Sequence, residues 1–171
     1  MKEYKPKPLT QKNVIGVFNN SFDAKQAILH LENAGFTPEQ INIITGDESL
    51  AETLNASTKA SKGGVIGGIA GGLLGAIAAG LAVAGSITIP GVNVLVYGAA
   101  ITTLIGTGAG IAAGGLTGLL IGLGIPENEA LAYKSHIEEG SILIAVETKD
   151  VSLAKMARNI FEQQHAGKIK G

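Results

Sequence analysis

The side chains best suited to acid–base or metal chemistry are three histidines, His30, His136 and His165. They fall on three different expected helices. None belongs to an HxxxH or HExxH pattern, the spacing that turns two imidazoles toward one metal ion. They read as helix-surface residues, and no metal site is expected. The chain has no cysteine, which removes thiolate catalysis and any disulfide framework. GTGAG (106–110) and GLG (122–124) look like phosphate-binding loops. However, no Gly-Lys-Ser/Thr follows either one, and no strand leads into them. Ser21 is a helix cap before it is a nucleophile. Glu127, Glu129, Glu138 and Glu139 read as a solvated helix face with carboxylates near the helix start. Thr102, Thr103, Thr107 and Thr117 would line a pore or, more commonly, bond to carbonyls of the preceding helical turn. No catalytic residues and no cofactor are therefore expected, and the chain is not expected to be an enzyme. Its 13 basic and 14 acidic residues leave a net charge of −1. That balance gives no steering toward nucleic acid.

The elements that would carry such groups lie at the two ends of the chain. Residues 1–12 form a polar, proline-bearing tail without the apolar core of a secretory signal. NVIGVFN (13–19) reads as a strand. Asn20 and Ser21 are N-cap candidates for a helix whose stripe is Phe22, Ala24, Ala27, Ile28 and Leu31, closed by Gly35. Pro38 breaks the chain before a second strand, INIIT (41–45). Residues 47–62 are a polar linker with room for a helical turn at Leu50 and Leu54. Pro126 suits the first position of a helix over 127–139. SILIAVE (141–147) is a third strand. Asp150 caps a final helix with a stripe of Val151, Ala154, Ala157, Ile160 and Phe161. After Gly167, Lys168-Ile169-Lys170 makes a short edge strand. Without the helix at 127–139 the order is βαββαβ. The expected class is α+β, a ferredoxin-like split βαβ domain. Residues 13–46 form its first half and 126–171 its second. One face of such a sheet is covered by helices, and the other must meet the extra helix or a second subunit.

Between the halves the composition changes. From Gly63 to Pro126 there is no Asp, Glu, Lys, Arg or His, and this block holds 19 of the 25 glycines. Glycine costs roughly 1 kcal/mol against alanine in an exposed helix interior, so its concentration here calls for a reason. The spacing supplies one. Gly63, Gly67, Gly71 and Gly75 are four apart, as are Gly106, Gly110, Gly114, Gly118 and Gly122. On a helix each row lies along one slowly drifting face. The result is a groove of bare backbone that another helix can approach closely. Residues 63–85 and 98–124, as helices at about 1.5 Å per residue, would span roughly 35–40 Å. That exceeds the ~30 Å hydrocarbon core of a bilayer. The expected arrangement over 63–125 is a glycine-zipper helical hairpin. Residues 86–97 would be an apolar turn, with Tyr97 near the membrane boundary.

"VIGVFNNSFDAKQAILHLENAGFTPEQINIIT", the Gly/Ala block, "GLGIPENEALAYKSHIEEGSILIAVET" and the final helix together resemble a bacterial family. It is the general stress protein family, also described as heat-induced or low-temperature-induced stress proteins. The resemblance covers nearly the whole chain after residue 12. Its best single signature is GIPENEALAYKSHIEEGSILI. It implies a stress-associated, non-enzymatic protein and brings no catalytic residues with it.

Two functional expectations follow. The first is a stress-associated structural protein that self-assembles through the two glycine rows, embedded in a lipid membrane with its polar domain on the cytoplasmic side. The second is a cytoplasmic soluble assembly, or a module binding a small ligand of unknown identity, with the hairpin buried in the oligomer core. The partner common to both is another copy of the chain.

Overall fold

The computed structural model describes residues 12–47, 50, 86–88, 94–98, 101 and 111–171. The expected strands and helices at the two ends of the chain form. Strand β1 is Lys12–Phe18, helix α1 Ser21–Asn33 and strand β2 Ile41–Thr45, with a short 3-10 turn at Pro38–Gln40 before β2. In the second half, helix α3 is Glu127–Glu138, strand β5 Ile142–Thr148, helix α4 Val151–Gln163 and strand β6 Lys168–Lys170. The caps do what their residue types dictate. The Asn20 side chain accepts from Asp23 N at 2.8 Å, and Asp150 accepts from Ser152 N and Leu153 N, each satisfying otherwise unpaired amides of a first helical turn.

The middle of the chain departs from expectation. Residues 86–97 were expected as an apolar turn. They contain two strands, β3 (Ser86–Thr88) and β4 (Leu95–Tyr97), paired antiparallel with each other. β4 also pairs with β2, placing Tyr97 opposite Ile43. All the described strands join one sheet in the order β3-β4-β2-β5-β1-β6. Every neighbouring pair is antiparallel. β1 and β2 therefore run in the same direction with β5 between them, and α1 carries the chain across.

Both faces of the sheet are buried, which explains why β1, β2 and β5 read as nearly unbroken apolar runs. Val14, Phe18, Ile41, Ile43, Ile142, Ile144 and Val146 point to one side. They pack there with Ala24, Ala27, Ile28 and Leu31 of α1 and Ala157, Ile160 and Phe161 of α4. Ile15, Val17, Ile44, Leu143 and Ala145 point to the other side. They meet Ala130, Tyr133 and Ile137 of α3 and Leu116, Leu119 and Leu120 of helix α2, Ile111–Gly122. The second face is thus closed within one chain. It is covered by the extra helix together with the end of the segment expected to cross a bilayer.

Helical spacing overreached at the margins of the stripes. Phe22 and Val151 were expected in apolar stripes, yet they are 68% and 54% exposed. Leu50, by contrast, is a fully buried core residue and is helical, as the linker pattern suggested.

Candidate functional site

The glycine rows are the residues singled out for function. Gly63, Gly67, Gly71, Gly75, Gly106 and Gly110 lie outside the described residues. Gly114, Gly118 and Gly122 lie in α2. Their row is not one unbroken helical face, because Gly115 adopts φ 58°, ψ −132° and interrupts the helix. Such a backbone conformation strongly favours glycine. After this break, α2 buries Leu116, Leu119, Leu120 and Leu123, an i, i+3, i+4, i+7 stripe that seats it on the sheet. Gly118 is half-buried and Gly122 exposed, so these two lie off the buried stripe. These leucines belong to the second core. The helix end is fixed by Leu123 N bonding to Leu119 O, Ile125 N to Leu120 O and Asn13 Nδ2 to Leu123 O at 2.6 Å.

A polar junction that sequence reasoning missed connects β4 to the start of the following helical turn. Asn42, buried in the middle of β2, accepts from Ile101 N at 3.3 Å. Gly98 sits directly against it at φ 129°. A Cβ on Gly98 would collide with Asn42 Oδ1 and approach the Asn42 Cα to 2.8 Å. The one available sequence signal was an asparagine inside the apolar run INIIT. Gly98→Ala is expected to destabilise the fold by at least about 1–3 kcal/mol from backbone strain, with the contact adding to it. A lower urea midpoint at unchanged m-value would show this.

Among the described residues, the groups able to do chemistry are dispersed or already engaged. No group of three His, Cys, Asp or Glu residues with metal-binding geometry occurs among the described residues. His30 Nδ1 lies 2.7 Å from Gln26 O within its own helix. Glu129 is held by Lys170, whose Nζ is 2.9 Å from both carboxylate oxygens. Glu138 pairs with Lys134 one turn back at 3.7 Å. A shallow cleft of 420 Å³ is lined by Glu39, Gln40, Glu147, Thr148, Lys149 and Asp150. Its polar groups hold the backbone in place. Asp150 caps α4, Thr148 Oγ1 accepts from Asp150 N at 3.1 Å, and Gln40 bridges Thr37 N and Glu147 O. Hydrogen bonds from its own backbone amide and from Thr37 hold the Glu39 carboxyl below its ordinary range. Glu39 is therefore a charged carboxylate at neutral pH, unsuited to general-acid work.

Glu32 is the one side chain whose buried atom finds no hydrogen-bond partner among the described residues. Desolvation pushes its carboxyl above the ordinary value. The fold thus favours the protonated form. The stability linked to this group is present below the ordinary glutamate pKa and lost as pH rises through the raised one. Glu32→Gln should raise the thermal midpoint at pH 7 and leave it unchanged near pH ~3, below the ordinary carboxylate range. A melting series over pH tests this.

Residues 13–91 match the family model of the heat induced stress protein YflT domain. The match covers β1, α1, β2, β3 and the first glycine row. The sequence signature over 124–144 lies outside it. No curated protein and no solved structure matches the chain.

Proposed function

From the match of residues 13–91 to the heat induced stress protein YflT domain model, we propose that the chain is a stress-associated structural protein that assembles with copies of itself and catalyses no reaction. The carrying observation is the row Gly63, Gly67, Gly71 and Gly75 inside a block without a single charge. Such a row gives helices a side-chain-free contact surface, and an uncharged block of this size has to be covered by something apolar.

Chain length separates the two ways of covering it. Leu50 is buried in the first core and Ser86 pairs with Tyr97 in the sheet. Both ends of the intervening 35 residues therefore return to the same domain. A segment that leaves and returns to one side of a bilayer must cross it twice, and two helical crossings need about 40 apolar residues plus a turn. The nine residues between Ile101 and Ile111 reach only about 14 Å as helix. No described helix is long and apolar enough to cross a membrane. The reading adopted is accordingly the assembly in which the glycine block is buried between copies, not the two-span hairpin.

Within each copy we read β1, α1, β2, β5, α4 and β6 as a ferredoxin-like unit. The strand order β2-β5-β1-β6 supports this. The glycine block and α2 are carried between its halves. The test is the chain with Gly67→Leu and Gly71→Leu together, compared with wild type by size-exclusion chromatography with light scattering. Leucines in the row should reduce the assembly to single chains of 17.3 kDa while the far-ultraviolet circular dichroism of the domain persists. An unchanged assembly size would count against the row as the contact.

A further inference from the structure

The two edges of the sheet are built differently. At one edge β6 carries Lys168 and Lys170, and both ammonium groups are fixed in place. Lys168 Nζ lies 4.7 Å from the centre of the Tyr133 ring, and Lys170 Nζ bonds both oxygens of Glu129. Lysines on a short edge strand repel a second edge. At the other edge β3 is the last strand in the order, and no described residue pairs with its outer side. It carries Ser86, Ile87 and Thr88 in the middle of a block without charge from Gly63 to Pro126. In an antiparallel ladder the N–H and C=O groups of successive residues alternate between the two sides of the strand. Over three residues, at least one N–H and C=O pair therefore points away from β4, available to another strand.

We propose that the outer edge of β3 pairs with β3 of a second copy, antiparallel across a two-fold axis, so that the sheet continues from one chain into the next. A neutral edge can meet itself without like-charge repulsion. An isologous contact also requires such a self-complementary surface. The occupant follows from the reading that copies associate through residues 63–85, on which this proposal rests. That block precedes β3 directly in sequence, ending just before Ser86, so association through it would hold the β3 strands of two copies near each other.

The absence of native cysteine makes the test clean. Ser86→Cys, Ile87→Cys and Thr88→Cys are prepared separately in the full chain, with Lys155→Cys on the exposed surface of α4 as control, and each is oxidised with diamide. At least one of the three edge variants should form a covalent dimer about tenfold or more faster than the control, since disulfides close only where Cβ atoms come within ~4.5 Å. Adding Gly67→Leu and Gly71→Leu should abolish the difference. As a second readout on the unmodified chain, the outward amide of Ser86–Thr88 should exchange slowly in the assembly and rapidly in the Gly67→Leu, Gly71→Leu chain. If the wild type assembles but no edge variant outpaces the control and those amides exchange rapidly, the edge pairing is overturned and the self-association reading stands. If the wild type is a single chain, both fall.

Discussion

Replacing Leu119 and Leu120 together with alanine is expected to remove about 4–8 kcal/mol of stability, taking about 2–4 for each truncated leucine. That is comparable with the whole stability of an ordinary domain, about 5–15 kcal/mol. Both side chains are fully buried. They pack in the core formed by Ile15, Val17, Ile44 and Leu143 of the sheet and Tyr133 and Ile137 of α3. Because they are neighbours on one helix, the double variant need not equal the sum of the singles. The effect nevertheless separates two placements of α2. Leucines facing lipid or another chain would leave the urea unfolding of the domain almost unchanged. Leucines on the sheet lower its midpoint sharply. Chemical denaturation followed by circular dichroism at far-ultraviolet wavelengths distinguishes them.

The second large effect is expected on the opposite face. Phe161→Ala should cost about 3–5 kcal/mol. The ring is fully buried and meets Phe18 edge-on, with centroids 5.6 Å apart and planes at 79°. This geometry contributes beyond area burial. Gly16 in β1 belongs to the same contact, because a Cβ there would lie 2.8 Å from the Phe161 ring. Gly16→Ala is therefore expected to destabilise the wild type and to cost much less in a Phe161→Leu background. A double-mutant cycle measured by urea unfolding should return a coupling of about 0.5–3 kcal/mol. Additive effects would show that the ring does not depend on the bare backbone beneath it.

These two cores also show how far the sequence could be read. The elements at the ends of the chain were legible because each has a chemical boundary: Asn20 and Asp150 cap helices, Pro38 stops one segment, and Val, Ile and Phe runs mark β1, β2 and β5. Strands β3 and β4 were hidden. The alternation of SITIP is too short to mark a strand, VLVY is an unbroken apolar run, and the partner that ties β4 into the sheet, β2, lies about 50 residues away. A helix over the region of α2 was legible, but its destination was not. A helix buried against a sheet and one facing lipid both exclude water, so their compositions converge. Gly115 could not be distinguished from its neighbours, since nothing in a run of glycines marks the one that turns to positive φ. The Asn42–Gly98 junction depends on a contact between residues 56 positions apart, beyond the reach of local pattern.

The candidate assembly surface was legible in a different sense. Its four-residue glycine period is a property of the sequence itself. The fold adds the constraint that Leu50 and Ser86, on either side of the first glycine row, belong to one domain, which is what the proposed assembly rests on.

The most direct measurement is sedimentation equilibrium of the full chain purified without detergent. The account predicts a mass that is an integer multiple of 17.3 kDa and falls to one chain when Gly67 and Gly71 are replaced by leucine. A wild-type protein that sediments as a single 17.3 kDa chain at every concentration tested would contradict it.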